Sequence, residues 1–150
     1  MLALWFGCGL VPKAPGTAGT LGAIPLFWIL IEWGPKALFL TATVVTCVGI
    51  WASNVEARRL QAKDPQIVCI DEVAGVLVTW LAAPPTVAGC LAGVVLFRIF
   101  DQFKPWPARW CERSLKGGWG IVLDDVAAGF WGAGVLMLMR ATNVIPWLPR

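Results

Sequence analysis

The sequence predicts an all-α integral membrane bundle of about four to five short apolar helices, with its polar groups gathered at the cytoplasmic face. Three observations carry this. Hydrophobic residues make up 58% of the 150 and charged residues only 14%, whereas soluble globular chains are about 45–50% apolar. Mean hydropathy is +0.72. There are ten Trp and no Tyr, and indole rings favour the membrane–water interface. The length suits one domain covering residues 1–150.

The apolar stretches follow in order. The first runs from about Gly16 to Ile31 and closes at Glu32-Trp33-Gly34-Pro35-Lys36; the second runs from Ala37 to about Asn54. A third and a fourth share the uncharged run Val73–Phe97, broken at Ala83-Pro84-Pro85, where a helix cannot continue through two prolines. The fifth runs from Val126 to Met139. Several are short against the roughly 20 residues of a perpendicular span, so the first stretch is open to a re-entrant reading.

Orientation follows from charge. Arg58, Arg59 and Lys63 crowd one loop, and Arg98, Lys104, Arg109, Arg113 and Lys116 crowd another. The positive-inside rule places both loops in the cytoplasm. Alternation then brings Lys13, Asp71-Glu72, Asp101 and Asp124-Asp125 to that same side. The expected arrangement is a membrane crossed several times, with the site facing the cytoplasm. Met1–Leu10 lacks a basic region ahead of its apolar residues, so no cleaved signal peptide is expected.

Composition excludes much chemistry. With no His, there is no Ser-His-Asp triad, imidazole base or His-rich zinc site. The five cysteines are widely spaced, without a C-x-x-C pair, and suit buried apolar roles. What stands out is acid. A carboxylate near a span centre costs roughly 2.5 kcal/mol or more, yet Asp71, Glu72, Asp101, Asp124 and Asp125 all adjoin apolar stretches. Five convergent carboxylates would form a divalent-cation site.

Each motif has a plainer reading beside the functional one. Lys13-Ala-Pro-Gly-Thr-Ala-Gly-Thr20 could cradle a phosphate with Lys13, Thr17, Thr20 and backbone N–H groups. Alternatively, Gly16, Gly19 and Gly22 recur every three residues for close helix packing. In Asp71-Glu72-Val-Ala-Gly75 and Asp124-Asp125-Val-Ala-Ala-Gly129, capping accounts for one acid of each pair but not both. Arg98, Asp101 and Lys104 share a helical face until Pro105 ends the helix. They form either an ion-pair group or a metal ligand flanked by phosphate-binding cations. Arg109, Arg113 and Lys116, with Trp106, Trp110 and Trp119, form a basic-aromatic surface suited to anionic headgroups or to fixing topology.

Taken in order, Gly9–Thr20, Ile70–Gly75, Phe97–Arg109 and Gly117–Gly129 resemble the phosphatidylglycerophosphatase A family of bacterial membrane lipid phosphatases. The likeness runs over about residues 7 to 135, and the F-R-x-F-D-x-x-K-P-x-P block is its most specific part. The resemblance implies Mg2+-dependent removal of the terminal phosphate of phosphatidylglycerophosphate, giving phosphatidylglycerol, a step of phospholipid biosynthesis. It maps the family's acids onto Asp71, Glu72, Asp101, Asp124 and Asp125. The sequence departs from the pattern in lacking a polar N-terminal extension and a His before Asp71.

The expected chemistry is metal-assisted hydrolysis, since Mg2+ favours oxygen ligands and would polarise the phosphoryl group and activate water. Glu72, Asp101 and Asp125 are expected as principal ligands, and Asp71 and Asp124 as further ligand, base or cap. Lys104, Arg98 and Lys13 would offset phosphoryl charge, with Thr17, Thr20 and Arg109 also on the substrate side. A covalent aspartyl-phosphate is the competing chemistry. The expected partners are the lipid and the membrane, with no nucleic acid and oligomeric state open. The rival functions are a phosphatase for another phosphorylated lipid, a small ion-binding or transport protein, and a non-catalytic lipid-binding subunit.

Overall fold

The computed structural model describes residues 1–63 and 65–142, and it is helical with no strand among them. A 3-10 stretch, Trp5–Leu10, precedes α1 (Pro15–Gly22), α2 (Ile24–Trp33), α3 (Pro35–Leu60), α4 (Ile70–Trp80), α5 (Val87–Phe103), α6 (Ala108–Ser114) and α7 (Gly118–Thr142). Three segments are long and apolar enough to cross a membrane: Pro15–Trp33, Pro35–Leu60 and Gly118–Thr142.

The first apolar stretch divides into α1 and α2 at Ala23, because Pro25 has no N–H to continue the helical ladder. The second lengthens into α3, which keeps Arg58 and Arg59 in its last turn, where cations complement the carbonyl end of the dipole. The double proline falls between α4 and α5, and Thr86 caps α5 by accepting from the Gly89 N–H at 3.0 Å. The fifth stretch starts earlier than hydropathy suggested. Its helix α7 begins at Gly118, whose N–H donates to Asn54 Oδ1 of α3 at 2.7 Å.

Every residue of α4 except Glu72 is buried, and α4 packs against α7, α3, α5 and α1. The outside of the bundle is apolar. On α5 the exposed residues Val87, Leu91, Val95, Ile99 and Phe103 recur every four positions, one continuous stripe along the helix. Phe39, Leu40, Val44 and Trp51 of α3 and Phe130, Met137 and Leu138 of α7 are likewise exposed. So much exposed apolar surface suits lipid rather than water.

Two glycines set the central crossing. A Cβ at Gly129 would stand 2.3 Å from the Gly75 carbonyl oxygen, and one at Gly75 would stand 2.3 Å from the Phe97 ring. The backbones of α4 and α7 therefore meet directly, and Thr79 Oγ1 lies 3.2 Å from both the Gly75 and Gly129 carbonyls. Gly129→Ala is expected to destabilise the protein by about 1–3 kcal/mol through overpacking. Gly134, with nothing within 4 Å of its would-be Cβ, should accept alanine without loss. Thermal unfolding of both variants in detergent checks this; an unchanged midpoint for Gly129→Ala would refute the tight crossing.

Candidate active site

The crossing also explains why two acidic blocks share a design. Asp71 is four residues before Gly75, and Asp125 four before Gly129, so each carboxylate lies one turn ahead of the contact glycine on the same face. Parallel packing of α4 on α7 brings them together. Oxygens of Asp71, Glu72 and Asp125 lie within 4.8 Å of one another. Asp71 and Glu72 occupy the first turn of α4, just after the N-cap residue Cys69, where negative charge suits the helix dipole; that placement does not account for their convergence with Asp125. Capping fails for Asp124 and Asp125, since α7 begins six residues before Asp124.

A cavity of about 420 Å³ opens onto this group and is lined by Asp71, Glu72, Asp101, Asp124 and Asp125 together with Arg98 and Lys104. All five acids proposed from sequence thus share one space. They are not equivalent within it. Asp101 Oδ2 accepts from Arg98 Nη1 at 2.8 Å and from Gln102 Nε2 at 3.3 Å. Asp124 accepts from Lys104 Nζ and from the Asp125 backbone N–H. The expectation put Asp101 in the principal ligand set with Glu72 and Asp125, whereas the close trio contains Asp71 instead. The reason is local: Arg98, one turn before Asp101, engages its carboxylate.

Lys104 closes α5 in the left-handed conformation, at φ 42°, a strained state for a residue with a Cβ, worth roughly 1–3 kcal/mol. From there its ammonium pairs with Asp124 and, at 3.3 Å, with Glu112 of α6. Burial pulls the ammonium pKa down, but Asp124, Asp125 and Glu112 more than offset this and leave it above the ordinary lysine value. Lys104 is therefore a fixed cation at neutral pH. Thiols offer no competing nucleophile. Burial, then the charges of Glu72 and Asp71, pushes the Cys69 thiol far up, and burial with Asp124 raises Cys111.

The remaining sequence candidates lie further out. Lys13 is exposed, next to Pro12 and Ala14 on the cavity rim. Thr17 does not line the cavity. Thr20 is fully buried and its hydroxyl donates to the Gly16 carbonyl, so it is turned to its own helix. The glycines of α1 lie in close packing, since a Cβ at Gly16 would stand 2.0 Å from Glu72 Oε1 and one at Gly19 2.8 Å from Cys69 Cβ, and Gly16 also lines the cavity. Arg109 lines a neighbouring groove and donates to the Phe103 carbonyl. Three residues went unnoticed in the sequence: Glu112, Gln102 and Gln66, the last two also lining the cavity.

The family model described as Phosphatidylglycerophosphatase A matches residues 1–140. The chain belongs to the phosphatidylglycerophosphatase A family. It is accordingly a phosphatase, a phosphoric monoester hydrolase. The phosphatidylglycerophosphatase A of Escherichia coli K12 is 41% identical over 138 residues, 91% of this chain and 80% of that protein. That of Haemophilus influenzae is 33% identical, over 93% of this chain and 87% of its own length. A Bacteroides thetaiotaomicron relative, named provisionally as a phosphatidylinositol-3-phosphatase, is 37% identical over 93% of this chain and 92% of its own. No solved structure matches this phosphatidylglycerophosphatase A family member.

Proposed function

We propose that the protein hydrolyses the terminal phosphomonoester of phosphatidylglycerophosphate, yielding phosphatidylglycerol and phosphate, with Mg2+ held by Asp71, Glu72 and Asp125. The observation that carries this reading is the single cavity in which five carboxylates face Arg98 and Lys104. The donor set fits the ion. Three carboxylates converge, and Glu72 Oε2 is buried with no hydrogen-bond partner among the described residues, a costly state unless something binds there. Oxygen donors of this kind suit Mg2+.

Bound Mg2+ would supply Lewis-acid polarisation of the phosphoryl group. The protein's own groups do the rest. Lys104 and Arg98 place positive charge where the phosphoryl oxygens would lie, against charge that is spread over those oxygens in the transition state. Asp124 and Asp101 hold these two cations in place. In the balanced reaction water adds its oxygen to phosphorus, the ester P–O bond breaks, and the glycerol oxygen leaves as a hydroxyl. With no imidazole in the chain, carboxylates are the groups able to carry the proton.

The lipid's acyl chains would remain in the bilayer while its headgroup enters the cavity at the cytoplasmic face of the inner membrane. Arg58, Arg59 and Lys63 at the end of α3 and the cations from Arg98 to Lys116 support that orientation. The Bacteroides relative favours one other reading, a phosphoinositide monoester in the same site.

Phosphate release is the test, measured in mixed micelles with phosphatidylglycerophosphate and with phosphatidylinositol 3-phosphate, first in Mg2+ and then in EDTA. The expected result is release from phosphatidylglycerophosphate that stops in EDTA and returns with Mg2+. Release that persists in EDTA would remove the metal. Preference for the inositol lipid would replace the substrate.

A further inference from the structure

Beside the acidic cavity, and sharing Lys104 with it, lies a groove of about 420 Å³ between the end of α5 and α6. Its lining differs in character. Lys104, Arg109 and Arg113 contribute cations, no acidic residue lines it, and Trp106 and Trp110 form apolar walls. Arg109 and Arg113 are four apart on α6 and so share a face. Neither has an ion-pair partner among the described residues, whereas Arg98 and Lys104 are paired with acids. Arg109 gives one N–H to the Phe103 carbonyl at 3.1 Å, which ties its guanidinium to the groove and leaves further donors for a ligand. Phe103, Trp106 and Trp110 are exposed, as befits side chains at the lipid interface.

We propose that this groove binds the phosphodiester of the substrate headgroup, so that Arg109 and Arg113 select lipids carrying two phosphates, one for each cavity. The inference rests on the proposed substrate. That headgroup carries a phosphomonoester and a phosphodiester joined through one glycerol, and the two cavities meet at one lysine. Guanidinium groups suit the diester because they bind phosphate oxygens in a planar, two-pronged fashion. The diester needs no metal, in keeping with a groove without carboxylates. The acidic cavity handles the bond to be cut, and the basic groove recognises what remains.

The test compares wild type with Arg113→Gln, and separately with Arg109→Gln, in uncharged micelles. The readouts are KM and kcat for phosphatidylglycerophosphate, Ki for its deacylated, water-soluble headgroup, and Ki for inorganic phosphate. Loss of one charge-assisted contact should raise KM and the headgroup Ki about tenfold each, with kcat and the phosphate Ki held. Arg113 is exposed and has no hydrogen bond or ion pair among the described residues, so its variant should fold even if Arg109→Gln loosens α6. Unchanged KM and headgroup Ki would overturn the proposal while leaving the activity in place. A raised KM with unchanged headgroup Ki would also overturn it, assigning the arginines to the lipid surface. A phosphate Ki rising in parallel would place their effect in the acidic cavity instead. Wild type that releases no phosphate from phosphatidylglycerophosphate would bring down the proposed substrate itself.

Discussion

Asp125→Asn is expected to lower kcat by roughly 10²–10³-fold or more, the scale of losing a group that organises transition-state electrostatics, while the fold becomes no less stable. Asp125 is only 4% exposed, and it is the member of the close trio that α7 brings to the two acids of α4. Asparagine keeps the shape and one oxygen acceptor but removes a negative charge. In the metal-free protein Asp125 is buried against Asp71 and Glu72, where an ionised carboxylate is disfavoured, so the amide removes that cost. In the working enzyme the same charge would hold the cation. Activity and stability should therefore move in opposite directions. The measurements are phosphate release as a function of Mg2+ and thermal unfolding in EDTA. Turnover like that of wild type would sink the trio as the working site. Loss of both activity and fold would show that Asp125 serves the crossing, not the chemistry.

How much of this was legible in the sequence depended on how local its cause was. The break at Pro84-Pro85 and the end of α5 before Pro105 are backbone effects of proline, which need no partner to act. The Arg98–Asp101 pair is a one-turn spacing, and the bond is there at 2.8 Å. The start of α7 was hidden because Gly117-Gly118-Trp119-Gly120 carries little helical preference. That turn is held by Asn54, 64 positions away from Gly118. For α1, spacing left the glycines open between phosphate cradle and packing. The closeness of Glu72, Cys69 and Cys8 shows the packing role, and Gly16 lines the acidic cavity as well.

The acids show the same division. That five carboxylates adjoin apolar segments was plain, but which of them converge is a property of helix packing. The clue was the repeated spacing of Asp71 to Gly75 and Asp125 to Gly129. The glycine marks where two backbones touch, and the acid sits one turn ahead of that point. Asp101 has no such glycine, and its own Arg98 takes its carboxylate. Glu112 left no signal at all. It lies eight residues beyond Lys104, across Pro105 and Pro107, and meets it only because the chain folds back into α6.

Lys104→Met should be the most damaging single change outside the trio, and a second substitution separates its two roles. Methionine keeps much of the side-chain length and removes the charge. Asp124, with its side chain 4% exposed, then loses the cation that pairs with it. Breaking a buried pair from one side costs about 3–5 kcal/mol, and the lower end applies because the Lys104 side chain is 21% exposed. Adding Asp124→Asn removes the stranded charge, so the double variant should recover most of that stability, a coupling that a double-mutant cycle in detergent unfolding reads directly. Activity should not return with it. If Lys104 bears on the phosphoryl oxygens, the double variant still lacks the cation and remains at least about tenfold impaired in kcat/KM, the minimum for one lost charge-assisted contact. Recovery of both stability and turnover would make Lys104 a prop for Asp124 alone. A Lys104→Met protein as stable as wild type would mean that Asp124 carries no charge in need of a partner, and the division of labour between the acids paired to cations and the close trio would fall.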